Sequence, residues 1–138
     1  AFSYIKSQSK KLNIDYKNLK KHDYHVHVPD GATPKDGPSA GSAITAALVS
    51  LMTKTPTNPS VAMTGEISFT GRILPIGGLR EKLLAASRMK LKKVLIPKHN
   101  EKDLSDIPDY VKDKLEIICV EHVGEVLSHA LKRKKVNG

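Results

Sequence analysis

A serine set among small residues is the first candidate for chemistry in this chain. Pro34-Lys35-Asp36-Gly37-Pro38-Ser39-Ala40-Gly41 leads into a periodic apolar run. Asp36 or Gly37 can cap a helix, and Pro38 suits its first position, where a missing N–H costs nothing. Ser39 then falls in the first turn, where unpaired backbone N–H groups face any developing anion. A hydroxyl nucleophile needs that setting, and it needs a base to take its proton.

Lys82 is one candidate base. It shares a helix face with Leu79, Ala85 and Ala86, at offsets of three and four. An amine lodged on an apolar, small-residue face loses hydration. That favours its neutral form, which can accept a proton from a serine hydroxyl. The ordinary alternative is a lysine whose stem lies on the apolar face while its head reaches water. Arg80 and Glu81 read as solvent-facing charge. His25 and His27 offer another base, since both point to one side of an extended segment. With Ser39 and Asp36, either completes a serine–histidine–acid triad on paper. The same pair could hold a metal, but there is no third ligand nearby, no HExxH pattern and no cysteine pair. His22, His99, His122 and His129 have no partner pattern and read as surface or helix-end residues. Thr64, taken alone, is an ordinary strand-end threonine. Cys119 reads as a core residue beside Ile117 and Ile118.

The composition bounds the class. The chain has 138 residues, of which 39% are apolar. That is enough for one domain with a modest core. No run approaches the ~18 apolar residues of a membrane span, so no membrane partner is expected. Lys6, Lys10 and Lys11 interrupt any secretory-type apolar region near the start. With Cys119 the lone cysteine, no intrachain disulfide can form, which fits a reducing compartment such as the cytoplasm. The formal charge of +9 concentrates at Lys10-Lys11, Lys17 to Lys21 and Lys132 to Lys135. Salt-dependent nucleic-acid binding would use that charge. However, four tyrosines and two phenylalanines without basic–aromatic alternation give bases little to stack on.

The elements that must position these residues read as mixed α/β. Residues 1–12 form an expected helix with Phe2, Ile5 and Leu12 on one side. His25-Val26-His27-Val28 alternates and stops at Pro29-Asp30-Gly31, so it reads as a short strand and turn. Ala40, Ala43, Ile44, Ala47, Leu48, Leu51 and Met52 recur with a 3.6-residue period, which predicts a core-packed helix with that face buried. Val61 to Met63, then Ile67 to Phe69, then Ile73 to Ile76 read as extended pieces. Pro75 puts the last at an edge. Gly77-Gly78 breaks it, and a helix follows from Leu79 to Met89. Val94 to Ile96 and Leu115 to Val120 read as buried strands. Val123, Val126, Leu127, Ala130 and Leu131 mark a final amphipathic helix. Residues 132–138 read as a basic tail.

Together these segments resemble the proteolytic domain of the Lon family, ATP-dependent serine proteases with a Ser–Lys dyad, in their bacterial form. The resemblance spans residues 1–131. It is carried by His25 to Pro29, Thr33 to Gly41, Val61 to Glu66, Leu74 to Ala86, Ile96 and Asn100 to Leu104. It implies an α/β fold similar to the second domain of ribosomal small-subunit protein 5. Ser39 is then the nucleophile and Lys82 the general base. Thr64 hydrogen-bonds the lysine amine, while His25, His27 and Asp36 assist or gate the site. An Asp36–Lys82 pair would hold the amine charged and the serine idle.

The resemblance further implies a homo-hexamer degrading misfolded and regulatory polypeptides. The ATPase module, with its ATP and magnesium, and any DNA contact belong to other domains. Family members carry strands ahead of the helix that opens here, so the domain is expected to be N-terminally incomplete. The chain itself has no GxxxxGK[ST] segment and no cofactor is expected in it. An inactive fragment serving as an assembly or binding module is the alternative reading. Ser42 departs from the apolar residue usual after Gly41, and back-bonding along its helix is expected.

Overall fold

A computed structural model describes residues 1–28 and 37–132. Its centre is a three-stranded parallel sheet of β1 (Val61–Met63), β4 (Lys93–Pro97) and β5 (Glu116–Val120), with β4 in the middle. Val61 pairs with Lys93, which in turn pairs with Glu116. A separate antiparallel hairpin joins β2 (Glu66–Ile67) to β3 (Ile73–Leu74). Parallel strands need crossover connections, and both crossovers here carry helices. The first contains the hairpin and α4 (Leu79–Arg88). The second contains a 3-10 helix (Lys98–Asp106) and α5 (Asp109–Lys112). The remaining helices are α1 (Phe2–Ser7), α2 (Tyr16–Lys21), α3 (Gly41–Thr53) and α6 (Val123–Ala130).

The two-residue period of β4 divides the interior into two cores. Leu95 faces one core, built with Ile5, Leu19, Val49, Val120 and Val126 from α1, α2, α3, β5 and α6. Val94 and Ile96 face the other, with Leu79, Leu83, Ala86 and Val111 from α4 and α5. Helices therefore cover both faces, as a parallel sheet requires.

Several sequence expectations meet corrections. The helix expected over residues 1–12 ends at Ser7, whose hydroxyl donates to Tyr4 O at 2.8 Å. That local bond competes with the helical ladder. The chain then turns, with Asn13 at φ 56° and Ile14 N–H donating to Ser9 O. The Lys17 to Lys21 charge run is part of α2, capped by Asp15 accepting from Lys17 N–H at 2.9 Å. The strand expected at His25 to Val28 does not form. Residues 22–28 are without regular structure, because no described strand runs beside them to supply a ladder.

The helix after Pro38 starts later than expected, at Gly41, and its buried face is turned. Ser42, Thr45, Ala46, Leu48 and Val49 are buried, whereas Leu51 is 66% exposed. The extended piece expected over Ile67 to Phe69 stops at Ile67, with Phe69 exposed in the hairpin turn. The strand expected as buried at Leu115 to Val120 is half-buried over most of its length. By contrast α4, β4 and α6 follow expectation, α6 with Val123, Val126, Leu127 and Ala130 inside. The tail from residue 133 lies outside the described residues.

Candidate active site

Ser39 sits in a turn just ahead of α3. Gly41 N–H closes that turn on Pro38 O at 3.1 Å. The turn is bolted to the chain leaving β1. Ser39 O accepts from Gly65 N–H at 2.9 Å, and Ser42 N–H donates to Gly65 O at 3.0 Å. Gly65 thus bonds through both its backbone groups to residues on either side of Ala40 and Gly41, as in a step of parallel pairing, and this fixes the serine against the sheet end. The approach is close. A Cβ on Gly41 would lie 2.8 Å from Ile67 Cγ2 and 3.0 Å from Ile67 N. Only glycine fits there.

Thr64 follows β1 and is buried, 7% exposed, with its N–H donating to Leu95 O at 3.0 Å. Its hydroxyl donates to Ser39 O at 3.4 Å, a long bond that adds to the grip on the same turn.

Lys82 comes from the opposite layer, on α4. Leu79, Leu83 and Ala86 anchor that helix in the second core, which leaves Lys82 half-buried at the sheet end. Ser39 and Lys82 both line a cleft of about 750 Å³. Its other walls are largely apolar and small, including Ala43, Ala62, Ala85 and Ala86. The same two residues line an adjoining pocket of about 310 Å³, shared with Glu66, Pro75 and Ile76. The pair therefore stands between two hollows. No direct hydrogen bond joins their side chains.

The histidines lie elsewhere. His25 and His27 are exposed, and neither lines these hollows; His25 borders a groove with Ile14, Leu19 and Leu51. Asp36 lies outside the described residues. No group of three metal-type ligands occurs among the described residues. Cys119 is half-buried on the second-core face, and burial pushes its thiol up from the ordinary range. His122 caps α6, accepting from Gly124 N–H at 3.0 Å.

Asn100 escaped the sequence reading. It is 3% exposed and holds the backbone of Ile76, beside the smaller pocket. Its one signal in the sequence was its place at the start of the Asn100 to Leu104 segment that carries the resemblance, which gave it no role.

The fold is a layered α/β domain, and its open sheet end gathers a hydroxyl and an amine. The family described as Lon protease (S16) C-terminal proteolytic domain matches residues 1–133, and the chain belongs to it. Relatives agree. A Lon protease of Rhizobium meliloti (strain 1021) is 60% identical over 133 residues, covering 96% of this chain and 16% of that protein. A Lon protease of Brucella abortus biovar 1 (strain 9-941) is 57% identical over 134 residues, covering 97% of this chain and 16% of that protein. A third, from Rickettsia felis, is 55% identical over 137 residues, covering 99% and 18%. The chain thus spans under a fifth of the length of the curated relatives it matches. No described helix is long and apolar enough to cross a membrane.

Proposed function

We propose that this chain is the catalytic part of a serine endopeptidase in which Ser39 is the nucleophile and Lys82 the general base. The observation that carries the reading is convergence. A serine from the turn before α3 and a lysine from α4, held by opposite cores, meet on the walls of the same two hollows. Membership in a proteolytic-domain family agrees with it.

The neutral Lys82 amine takes the Ser39 proton as Oγ attacks the scissile carbonyl, closing up with substrate bound. The tetrahedral oxyanion then needs donors. Gly41 and Ser42 N–H are already committed to Pro38 O and Gly65 O. The N–H groups of Ser39 and Ala40, which donate to no described residue, are the candidates left in this turn. Protonated Lys82 passes its proton to the leaving amine. Water, activated by the same lysine, then hydrolyses the acyl–Ser39 ester, and both groups return to their starting state. The larger apolar cleft takes a substrate side chain on one side of the scissile bond. Thr64 serves by fixing the Ser39 turn, and reaching the amine is a second role for its hydroxyl. His25, His27 and Asp36 act around the site rather than in the proton transfer.

At the level of the whole protein, the reading is an ATP-dependent, cytoplasmic homo-hexamer that degrades misfolded and regulatory polypeptides. The nucleotide and magnesium would be bound by parts outside this sequence.

The test is peptide hydrolysis by the full-length protein. Ser39→Ala should abolish cleavage and leave ATP hydrolysis in place. Lys82→Arg should lower kcat by about 10²–10⁴-fold, because a guanidinium stays charged and accepts no proton. Near-normal turnover by either variant would refute the dyad.

A further inference from the structure

Ile76 lies between the end of β3 and Gly78, which turns the chain into α4 at φ +69°. No described strand pairs with it. One side chain takes that place. Asn100 Oδ1 accepts from Ile76 N–H at 2.9 Å, and Asn100 Nδ2 donates to Ile76 O at 2.9 Å. The amide thus satisfies both backbone groups of one residue, as a strand neighbour would. The same Nδ2 donates to Asp103 Oδ2 at 2.7 Å, which fixes the amide's orientation. Ile76, Gly77, Ser39 and Lys82 are all walls of the smaller pocket. Downstream, Lys82 N–H donates to Gly78 O at 3.3 Å, so the start of α4 is tied to the loop that Asn100 holds.

We infer that Asn100 is a positioning residue for Lys82: by clamping Ile76 it sets where α4 begins and so where the amine stands against Ser39. The inference rests on the reading of Lys82 as base. A lysine on a ten-residue helix has several flexible bonds, and its reach is governed by where the helix starts. Displacement of a catalytic group by about 1 Å costs up to about 10²-fold in rate. The second core fixes α4 laterally through Leu79, Leu83 and Ala86. Position along the helix axis depends on the loop before it, and that loop's fixed point is Asn100.

The decisive variant is Asn100→Asp in the full-length protein. It keeps the side chain's size and an acceptor for Ile76 N–H. It replaces the donor with an oxygen facing Ile76 O and the Asp103 carboxylate. Two substrates are used: a fluorogenic peptide, and a p-nitrophenyl ester whose leaving group needs no proton. Each is measured with Lys82 present and in a Lys82→Ala background. With Lys82 present, kcat for the peptide should fall about 10–100-fold, with KM changed less than about threefold. In the Lys82→Ala background, the residual ester rate should not fall further. A merely structural role would lower both backgrounds by the same factor.

Asp103→Ala removes one acceptor of the amide and guards against misfolding of the first variant. Its smaller loss should show the same dependence on Lys82. An unchanged kcat in Asn100→Asp, or equal losses in both backgrounds, overturns the inference. Lys82→Ala alone with full peptide activity would instead refute the base assignment, and that is read before any Asn100 variant.

Discussion

Ser42 is fully buried, and its hydroxyl has no hydrogen-bond partner among the described residues. The expected bond back along the helix is made by Thr45 instead, whose hydroxyl donates to Gly41 O at 2.8 Å. The corresponding carbonyl for Ser42 is that of Pro38, which already accepts from Gly41 N–H and lies in the turn before the helix. An unpaired buried hydroxyl costs about 1–3 kcal/mol in lost hydration. Ser42→Ala should therefore leave stability unchanged or raise it, as read by urea denaturation. A loss of more than about 1 kcal/mol would show that the hydroxyl has found a partner. Ser39 and Lys82 were legible as candidates because a serine before a helix and a lysine on an apolar face are unusual by type. The role of Asn100 was not legible, although its segment carries the resemblance. Its work is done on a backbone 24 residues away, and no pattern in a linear sequence marks such a contact.

Among the elements, those with a clean period were the legible ones. In α6 the apolar positions are the buried positions, and in α4 Leu79, Leu83 and Ala86 are buried while Ala85, expected on the same face, is exposed. In α3 the helix was legible but its face was not. Ser42 and Thr45 count as polar yet are buried, while Ala47 and Leu51 count as apolar yet are exposed. Ala46, Leu48 and Val49 face the first core, and at the start of the helix Gly41 comes so close to Ile67 of β2 that only small residues fit there. That contact gives a prediction. In Gly41→Ala the new Cβ must displace Ile67, both its side chain and its backbone N. The expected cost is about 1–3 kcal/mol. Because Ser39 and Ser42 grip Gly65 on either side of Gly41, peptide cleavage should fall as well, in protein that is still folded at 25 °C. Wild-type stability together with wild-type kcat would show that the two segments can separate freely. The strand signal at His25 to Val28 failed for the opposite reason: alternation marks a segment able to pair, and pairing needs a neighbour.

For the whole molecule, the question is whether the two halves of the site belong to one folding unit. Ser39 leads into α3, which packs in the first core, while Lys82 rides on α4, which packs in the second. Among the described residues the cores adjoin across the sheet, where β4 contributes Leu95 to one and Val94 and Ile96 to the other. Those three side chains are consecutive on one strand, and all are buried. Loosening either layer strips one face of β4 and weakens the ladder that the other layer needs. Ile5 and Leu83, both at 0% exposure, probe the two cores separately. Ile5→Ala and Leu83→Ala should each cost about 2–5 kcal/mol, the range for deleting a large buried aliphatic side chain. Each should move one shared unfolding transition, seen alike by far-UV circular dichroism and by tyrosine fluorescence. Separate transitions, with Leu83→Ala shifting only one, would mean that the layers unfold independently. The serine and lysine would then be held together by the sheet edge alone, rather than by a common interior.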